Sequence, residues 1–261
     1  MTGFAQRPSR AILTLAAVAV LAAGCATRPP ATDPEAVAEF EQNNDPLEPT
    51  NRFLYRVNDA VDTAVLAPIA RGYRYAVPGV VRRSIGNALN NVAAPVVFAN
   101  DVLQGRPRRA AATVTRFVVN STVGIGGFFD VAAELGLPRH RGGGFGTTLA
   151  VWGVGEGPFL FLPLFGPSNV RDTAGFAGNA LIDPFTWVSF GGVNALRLSR
   201  GGVGALDTRE QLLDPVDQVK RDSLDPYATF RSVYRQTRAA EIDAVRGGET
   251  TPLPEANVVP R

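Results

Sequence analysis

His140 is the sole histidine of this 261-residue chain and Cys25 the sole cysteine, so nucleophilic or metal chemistry has few residues to build on. The run His140-Arg141-Gly142-Gly143-Gly144 sets an imidazole before backbone amides that could cradle an oxyanion, as ester hydrolysis would require. No G-x-S-x-G nucleophile turn accompanies it, and no Ser-His-Asp set can be assembled, so His140 reads as a solvated loop residue. A metal site lacks a His or Cys pair to start from. The glycine clusters Gly124 to Gly127 and Gly153 to Gly157 lack the Lys-Ser/Thr of a phosphate loop, and no strand-turn-helix context suggests a dinucleotide. Asp130 and Glu156 could form an isolated carboxylate pair, although nothing in their spacing requires it. The expectation is a non-enzymatic protein with no metal and no cofactor.

Cys25 carries a different chemistry. Arg7 and Arg10 form a basic start, Ala11 to Ala23 an apolar run too short for a stable span, and Leu21-Ala22-Ala23-Gly24 leads into the cysteine. A cysteine directly after such a cleavage point marks a bacterial lipoprotein acylated at its mature N-terminus, although Ala22 stands where Leu is usual. The alternative is an ordinary signal peptide with an incidental cysteine. Residues 1–24 are thus a lipoprotein signal peptide and Cys25 the lipid anchor. Acylation removes the only thiol and with it any disulfide. The formal charge of +2 also leaves with the signal: 26 basic residues less Arg7 and Arg10 leaves 24, against 24 acids. That balance gives no support to a nucleic-acid partner. Of the 26 basic residues only Lys220 is lysine, a bias that a GC-rich genome explains.

The elements that hold these residues read as mostly α. Residues 25–43 contain Pro29, Pro30 and Pro34 with little periodic apolar content and read as a flexible tether. Residues 247–261, with Pro252, Pro254 and Pro260, read as a disordered tail. Between them, residues 44–246 form the body. Asp45-Pro46 opens a helix with Leu47, Leu54, Val57 and Val61 on one face. A second helix follows Ser84 and is expected to break or kink near Ala94 because of Pro95, with Val96 to Leu103 ending at a Gly105 cap. Pro107 starts a helix whose Ala110, Ala111, Val114, Phe117 and Val118 oppose Arg109, Thr113, Arg116 and Asn120. Such a stripe most often faces a core, although it also suits a membrane surface. Thr208 and Gln211 fit a capping box, and Asp225-Pro226 opens a last helix. Strand signal is confined to short runs such as Pro158 to Leu164.

Gly142 to Val170 is anomalous: 29 residues with eight Gly, three Pro, five aromatics and a single charge, Glu156. Its glycines and prolines oppose a transmembrane helix. Either it packs into the core or it meets lipid at interfacial depth.

Several short motifs then line up. They begin with Asn44-Asp45-Pro46-Leu47-Glu48, Asn51-Arg52, Leu103-Gln104-Gly105, Arg116-Phe117, Asn120 and Gly126-Gly127-Phe128-Phe129-Asp130. They continue through Phe145-Gly146-Thr147-Thr148-Leu149, Trp152-Gly153-Val154-Gly155-Glu156-Gly157-Pro158, Leu162-Pro163 and Gly166-Pro167-Ser168. Arg171-Asp172, Arg209-Glu210-Gln211-Leu212-Leu213 and Asp225-Pro226-Tyr227 complete the series. In this order and spacing, over Asn44 to Arg238, they resemble the MlaA (VacJ) lipoprotein family.

The resemblance implies a single ring-like helical domain lying in the inner leaflet of the outer membrane, on its periplasmic side, with a Gly/aromatic-rich irregular centre. It implies maintenance of lipid asymmetry: mislocalised phospholipid leaves the outer leaflet through an amphipathic channel and passes to the periplasmic carrier MlaC. Trimeric outer-membrane porins are implied as partners. In such a channel Arg109 or Arg116 would attract phosphate, with Asn120, Phe145, Trp152, Phe159 and Phe161 as further channel or gate candidates. Two rivals remain: an envelope lipoprotein that scaffolds porins without moving lipid, and a lipid hydrolase working through His140.

Overall fold

The computed structural model describes residues 29–30 and 32–247. Cys25, the signal peptide and the tail from residue 248 lie outside the described residues. Helices dominate, with one two-stranded sheet. The chain divides into two compact units: residues 157–170 join the segment ending at Asp59, and residues 60–156 and 171–247 form the other.

In the first unit, α1 (Pro34–Asn43) occupies part of the stretch expected as a tether. Proline at the first helical position and Glu35 in the first turn suit a helix start there, signals that the proline count alone obscures. After it comes α2 (Glu48–Val61), and an antiparallel hairpin, β1 (Phe159–Leu162) with β2 (Gly166–Asn169), pairs Phe159 with Asn169 and Leu162 with Gly166.

The edge of β1 away from β2 is closed by asparagines. Asn51 Nδ2 donates to the Phe159 carbonyl at 3.0 Å while the Phe161 N–H donates to Asn51 Oδ1 at 2.9 Å. Asn58 repeats the pattern, donating to the Leu162 carbonyl at 2.7 Å and accepting the Leu164 N–H at 2.9 Å. Seven helical residues rise about 10 Å and three strand residues rise about 10 Å, so side chains seven apart match backbone groups three apart. An amide side chain, with one donor and one acceptor, thereby stands in for a neighbouring strand. Phe159 and Phe161 turn inward, and the Phe161 ring meets Tyr55 edge-on at 5.5 Å. Asn51→Ala removes a hydrogen-bond partner from both edge groups and from Asp45 Oδ1, which Asn51 Nδ2 also holds at 2.8 Å. The expected loss is about 2–4 kcal/mol, checked by denaturant melts, with faster amide exchange at Phe161; an unchanged Phe161 protection factor would contradict the assignment.

The second unit begins with a π-helical turn, Asp62–Leu66, continuing into α3 (Ala67–Ala76). Next come α4 (Gly79–Leu103), α5 (Pro107–Thr122), α6 (Val131–Glu134) and α7 (Phe145–Val151). The remaining elements are α8 (Val170–Ile182), α9 (Pro184–Trp187), α10 (Val193–Gln211), α11 (Leu213–Asp222) and α12 (Pro226–Gly247). Pro95 does not break α4, which is continuous past it. A proline removes its own N–H from the ladder and crowds the carbonyl four residues back, costs that the packing of α4 against α5 outweighs. Thr208 lies inside the last turn of α10, not at a helix start, because Leu212 is the residue before α11. Gly105, at φ +67°, follows α4, and the Asp225 carboxylate accepts the Ala228 N–H at the start of α12.

The sidedness of α5 reverses the soluble-protein expectation. Its polar face is inside, with Arg109 2% and Arg116 8% exposed, while its apolar face is outside, with Phe117 38% and Val118 52% exposed. The same inversion holds more widely. Among the described residues 19 buried side chains are polar or charged against 12 apolar ones, whereas Phe53, Ile69, Val123, Phe129 and many other large apolar residues are exposed. Burial of apolar surface is therefore not what this interior chiefly achieves; hydrogen-bonded amides, hydroxyls and ion pairs occupy much of it. No helix among the described residues is long and apolar enough to cross a membrane.

The Gly/aromatic segment is part buried and part exposed. Gly146, Thr147, Thr148 and Ala150 of α7 are buried, and α8 passes so close that a Cβ on Gly175 would stand 2.5 Å from the Gly146 nitrogen. Trp152, Leu164 and Phe165 are exposed.

Candidate functional site

Two cavities of about 320 Å³ and 610 Å³ open in the second unit. Asn87, Asn90, Asp130, Arg139 and Arg141 line both, so the two adjoin along a shared rim. One face of α4 supplies Asn87, Asn90, Asn91 and then Ala94, residues that recur at helical spacing and change from amide to aliphatic along the axis. Ala93, Val97 and Phe117 extend the apolar side of the smaller cavity, while Arg82, Arg83, Asp207 and Glu210 make the larger one polar. The combined lining is amphipathic.

Buried ion pairs hold this lining in place. Arg116 grips Asp130 with one nitrogen, 2.9 and 2.8 Å from its two oxygens, and Asn120 Nδ2 donates to the same carboxylate at 2.9 Å. Burial alone would raise the Asp130 carboxyl, but the Arg116 and Asn120 hydrogen bonds hold it below its ordinary value. Asp101, fully enclosed, accepts from Arg109 Nε at 3.3 Å and Thr113 Oγ1 at 2.7 Å, and His140 Nε2 lies 2.9 Å away. The Arg109 guanidinium is pushed below its usual range by burial, with Asp101 opposing the shift. Across the larger cavity, burial and then the neighbouring Glu210 charge raise the Asp207 carboxyl.

The segment after α6 is clamped to this network at three points: Arg116 donates to the Leu137 carbonyl, Arg109 to the Arg141 carbonyl, and His140 meets Asp101. His140 is thus no solvated loop residue; its side chain is 5% exposed. Arg139 and Arg141, on either side of the pinned His140, line the smaller cavity with it and also the larger one. The following glycines serve packing. A Cβ on Gly143 would come within 2.6 Å of Val97, and on Gly142, at φ +81°, within 2.7 Å of Val245.

Asp130 and Glu156 do not pair: Arg116 holds the first and Arg235 the second, at 2.7 Å. Among the described residues no His, Cys, Asp and Glu cluster could hold a metal ion.

The profile for MlaA lipoproteins matches residues 43–241. The chain belongs to the MlaA lipoprotein family. A Shigella flexneri relative named "Intermembrane phospholipid transport system lipoprotein MlaA" is 35% identical over 217 residues, 82% of this chain and 83% of that protein. A Haemophilus influenzae protein of the same name is 35% identical over 233 residues, 87% and 88% of the two chains. A solved structure described as the structural basis for maintenance of bacterial outer membrane lipid asymmetry superposes with a TM-score of 0.67. It shares 33% identity and covers 76% of this chain and 98% of its own.

Within this MlaA-family chain, Arg116 and Asn120 of the anticipated channel residues line a cavity. Arg109 sits behind the wall, bound to Asp101 and the Arg141 carbonyl. Phe145 and Trp152 stack edge-on at 6.0 Å around α7, with the Trp152 indole donating to the Leu103 carbonyl at 2.9 Å. Phe159 and Phe161 belong to the hairpin core of the first unit. The lining residues that sequence reasoning missed are Asn87, Asn90, Arg139 and Arg141. The i, i+3 spacing of the two asparagines was a usable signal; the two arginines had none, because their placement depends on the His140 clamp.

Proposed function

We propose that this protein is an outer-membrane lipoprotein, anchored through acylated Cys25, whose body lies in the inner leaflet and removes mislocalised phospholipid from the outer leaflet. The observation that carries this reading is the inverted interior: apolar side chains face outward, and an amphipathic cavity pair opens among buried polar groups. An apolar exterior suits acyl chains, and an amide- and arginine-lined passage suits headgroups. The names of the Shigella and Haemophilus relatives support the same activity. The lipid passes on to the periplasmic carrier MlaC, with trimeric porins alongside, and no covalent step occurs.

The geometry around His140 favours this over hydrolysis. A catalytic triad sets the acid and the nucleophile on opposite ring nitrogens. Here Nε2 faces both Asp101 oxygens, at 3.1 and 2.9 Å, and also Thr113 Oγ1 at 3.5 Å. The test is a clean deletion strain assayed for phospholipid in the outer leaflet. Surface-exposed phospholipid that the full chain removes on complementation is expected; a normal outer leaflet in the deletion would overturn the reading in favour of a porin scaffold.

A further inference from the structure

We infer that the larger cavity and the rim it shares with the smaller one bind a net-anionic phospholipid headgroup, gripped by Arg139, Arg141 and Arg83, in preference to a zwitterionic one. This rests on the phospholipid reading above and goes beyond it by assigning headgroup selectivity to three residues.

The three arginines line the larger cavity, and Arg139 and Arg141 line the smaller as well. Among the described residues none of their side chains makes a hydrogen bond or ion pair. The carboxylates around them are already engaged. Asp130 is held by Arg116 and Asn120, and Glu210 by Arg74 at 2.7 Å and by Arg82. Asp207 receives the Gln211 amide at 2.8 Å, and Glu241 pairs with Arg238. The phosphodiester of either kind of lipid finds three guanidinium groups able to donate in pairs, but an ammonium beyond it adds a further cation to the cluster where a hydroxyl does not.

The surroundings of Arg139 point the same way. Arg139 is exposed at its rim, and partial desolvation and then the neighbouring Arg116 charge lower its affinity for its own proton, with Asp130 opposing and Arg141 adding to the repulsion. A bound anion relieves that unfavourable clustering of charge. Asn87 and Asn90, at the shared rim, add amides for phosphoryl or glycerol oxygens. Ala93, Ala94 and Val97 lie beyond them, where the ester end of the lipid would follow. A second hydroxyl-bearing or phosphate-bearing headgroup gains contacts in this setting; a cationic one meets repulsion.

Native mass spectrometry tests this on the mature full chain in mild detergent, offered equimolar phosphatidylglycerol and phosphatidylethanolamine with matched acyl chains. The wild type is expected to favour phosphatidylglycerol about tenfold. The double variant Arg139→Gln/Arg141→Gln brings the ratio near one, with phosphatidylglycerol occupancy falling more than phosphatidylethanolamine occupancy. Neither side chain has a partner to lose, so the fold survives both changes. A wild-type ratio near one, or a ratio the double variant leaves unaltered, overturns the anion site and leaves the phospholipid reading standing. A wild type that retains neither lipid overturns both. Full displacement of phosphatidylglycerol by inorganic phosphate at equal concentration would assign the site to the free anion and overturn the lipid assignment.

Discussion

Arg238→Ala is expected to lower the thermal midpoint by on the order of 10 °C, because one side chain joins α7, α8 and α12. Its Nε and Nη2 lie 2.8 and 3.0 Å from the two Asp172 oxygens, Nη2 also reaches Thr147 Oγ1 at 3.2 Å, and Nη1 pairs with Glu241. Tyr234 adds its hydroxyl to Asp172 at 2.5 Å. Burial works against the Arg238 charge, yet Asp172 more than offsets it and holds the guanidinium above its ordinary value. Removing the arginine leaves Asp172 enclosed with its main counter-charge gone, a change that costs about 3–5 kcal/mol for buried pairs. Asp172→Asn/Arg238→Met, which removes both charges, should recover much of that loss in the same melts. Thermal scans at descending pH give a second readout. Burial would raise Asp172, but Arg238 and then Tyr234 bring it below 3.8. A carboxyl lowered on folding contributes stability that is complete above pH 3.8 and is lost as pH falls through the folded value. In Arg238→Ala that loss moves to higher pH. An acid limb at the wild-type position would mean that the pair does not govern it.

Asp101→Ala is the more damaging change at the site itself. Among the described residues Asp101 is the carboxylate that pairs with Arg109, and its side chain is fully buried beside a guanidinium 3% exposed. Truncation strands that cation along with Thr113 and His140, and the expected loss is again about 3–5 kcal/mol. Asp101→Asn keeps the shape and the Thr113 bond while removing the charge, so it folds with a smaller loss. Its consequence extends beyond stability. His140 is one of three clamps that set Arg139 and Arg141 on the cavity side, and Asp101 holds His140. The Asn variant is therefore expected to lose headgroup discrimination several-fold while its secondary structure is intact by circular dichroism. Full discrimination in a folded Asp101→Asn protein would show that the other two clamps suffice.

Much of the helical framework is legible in the chain because its signals are local. Asp225-Pro226, Gly105 and Pro107 mark helix ends through capping and backbone geometry, which depend on a few neighbouring residues. The two faces of α5 are equally plain from spacing. What spacing does not convey is which face meets the interior. In this fold Arg109, Arg116 and Asn120 go inside while Val118 goes out. Asn51 and Asn58 look like ordinary polar helix positions until the hairpin, more than 100 residues later, lies against them. His140 misled for the same reason, since its partner Asp101 is 39 residues upstream on α4. Pro95 and Thr208 misled for another: each carries a strong local preference that packing of a long helix overrides.

Photocrosslinking of the mature protein in cells provides the most direct test of the passage, with a short crosslinker placed at Asn90, which lines both cavities. Phospholipid adducts at Asn90, recovered and identified by mass spectrometry, are the expected result. Adducts formed only with protein at Asn90, while a probe at outward-facing Val118 captures lipid freely, would contradict it: lipid would then touch the exterior and never enter.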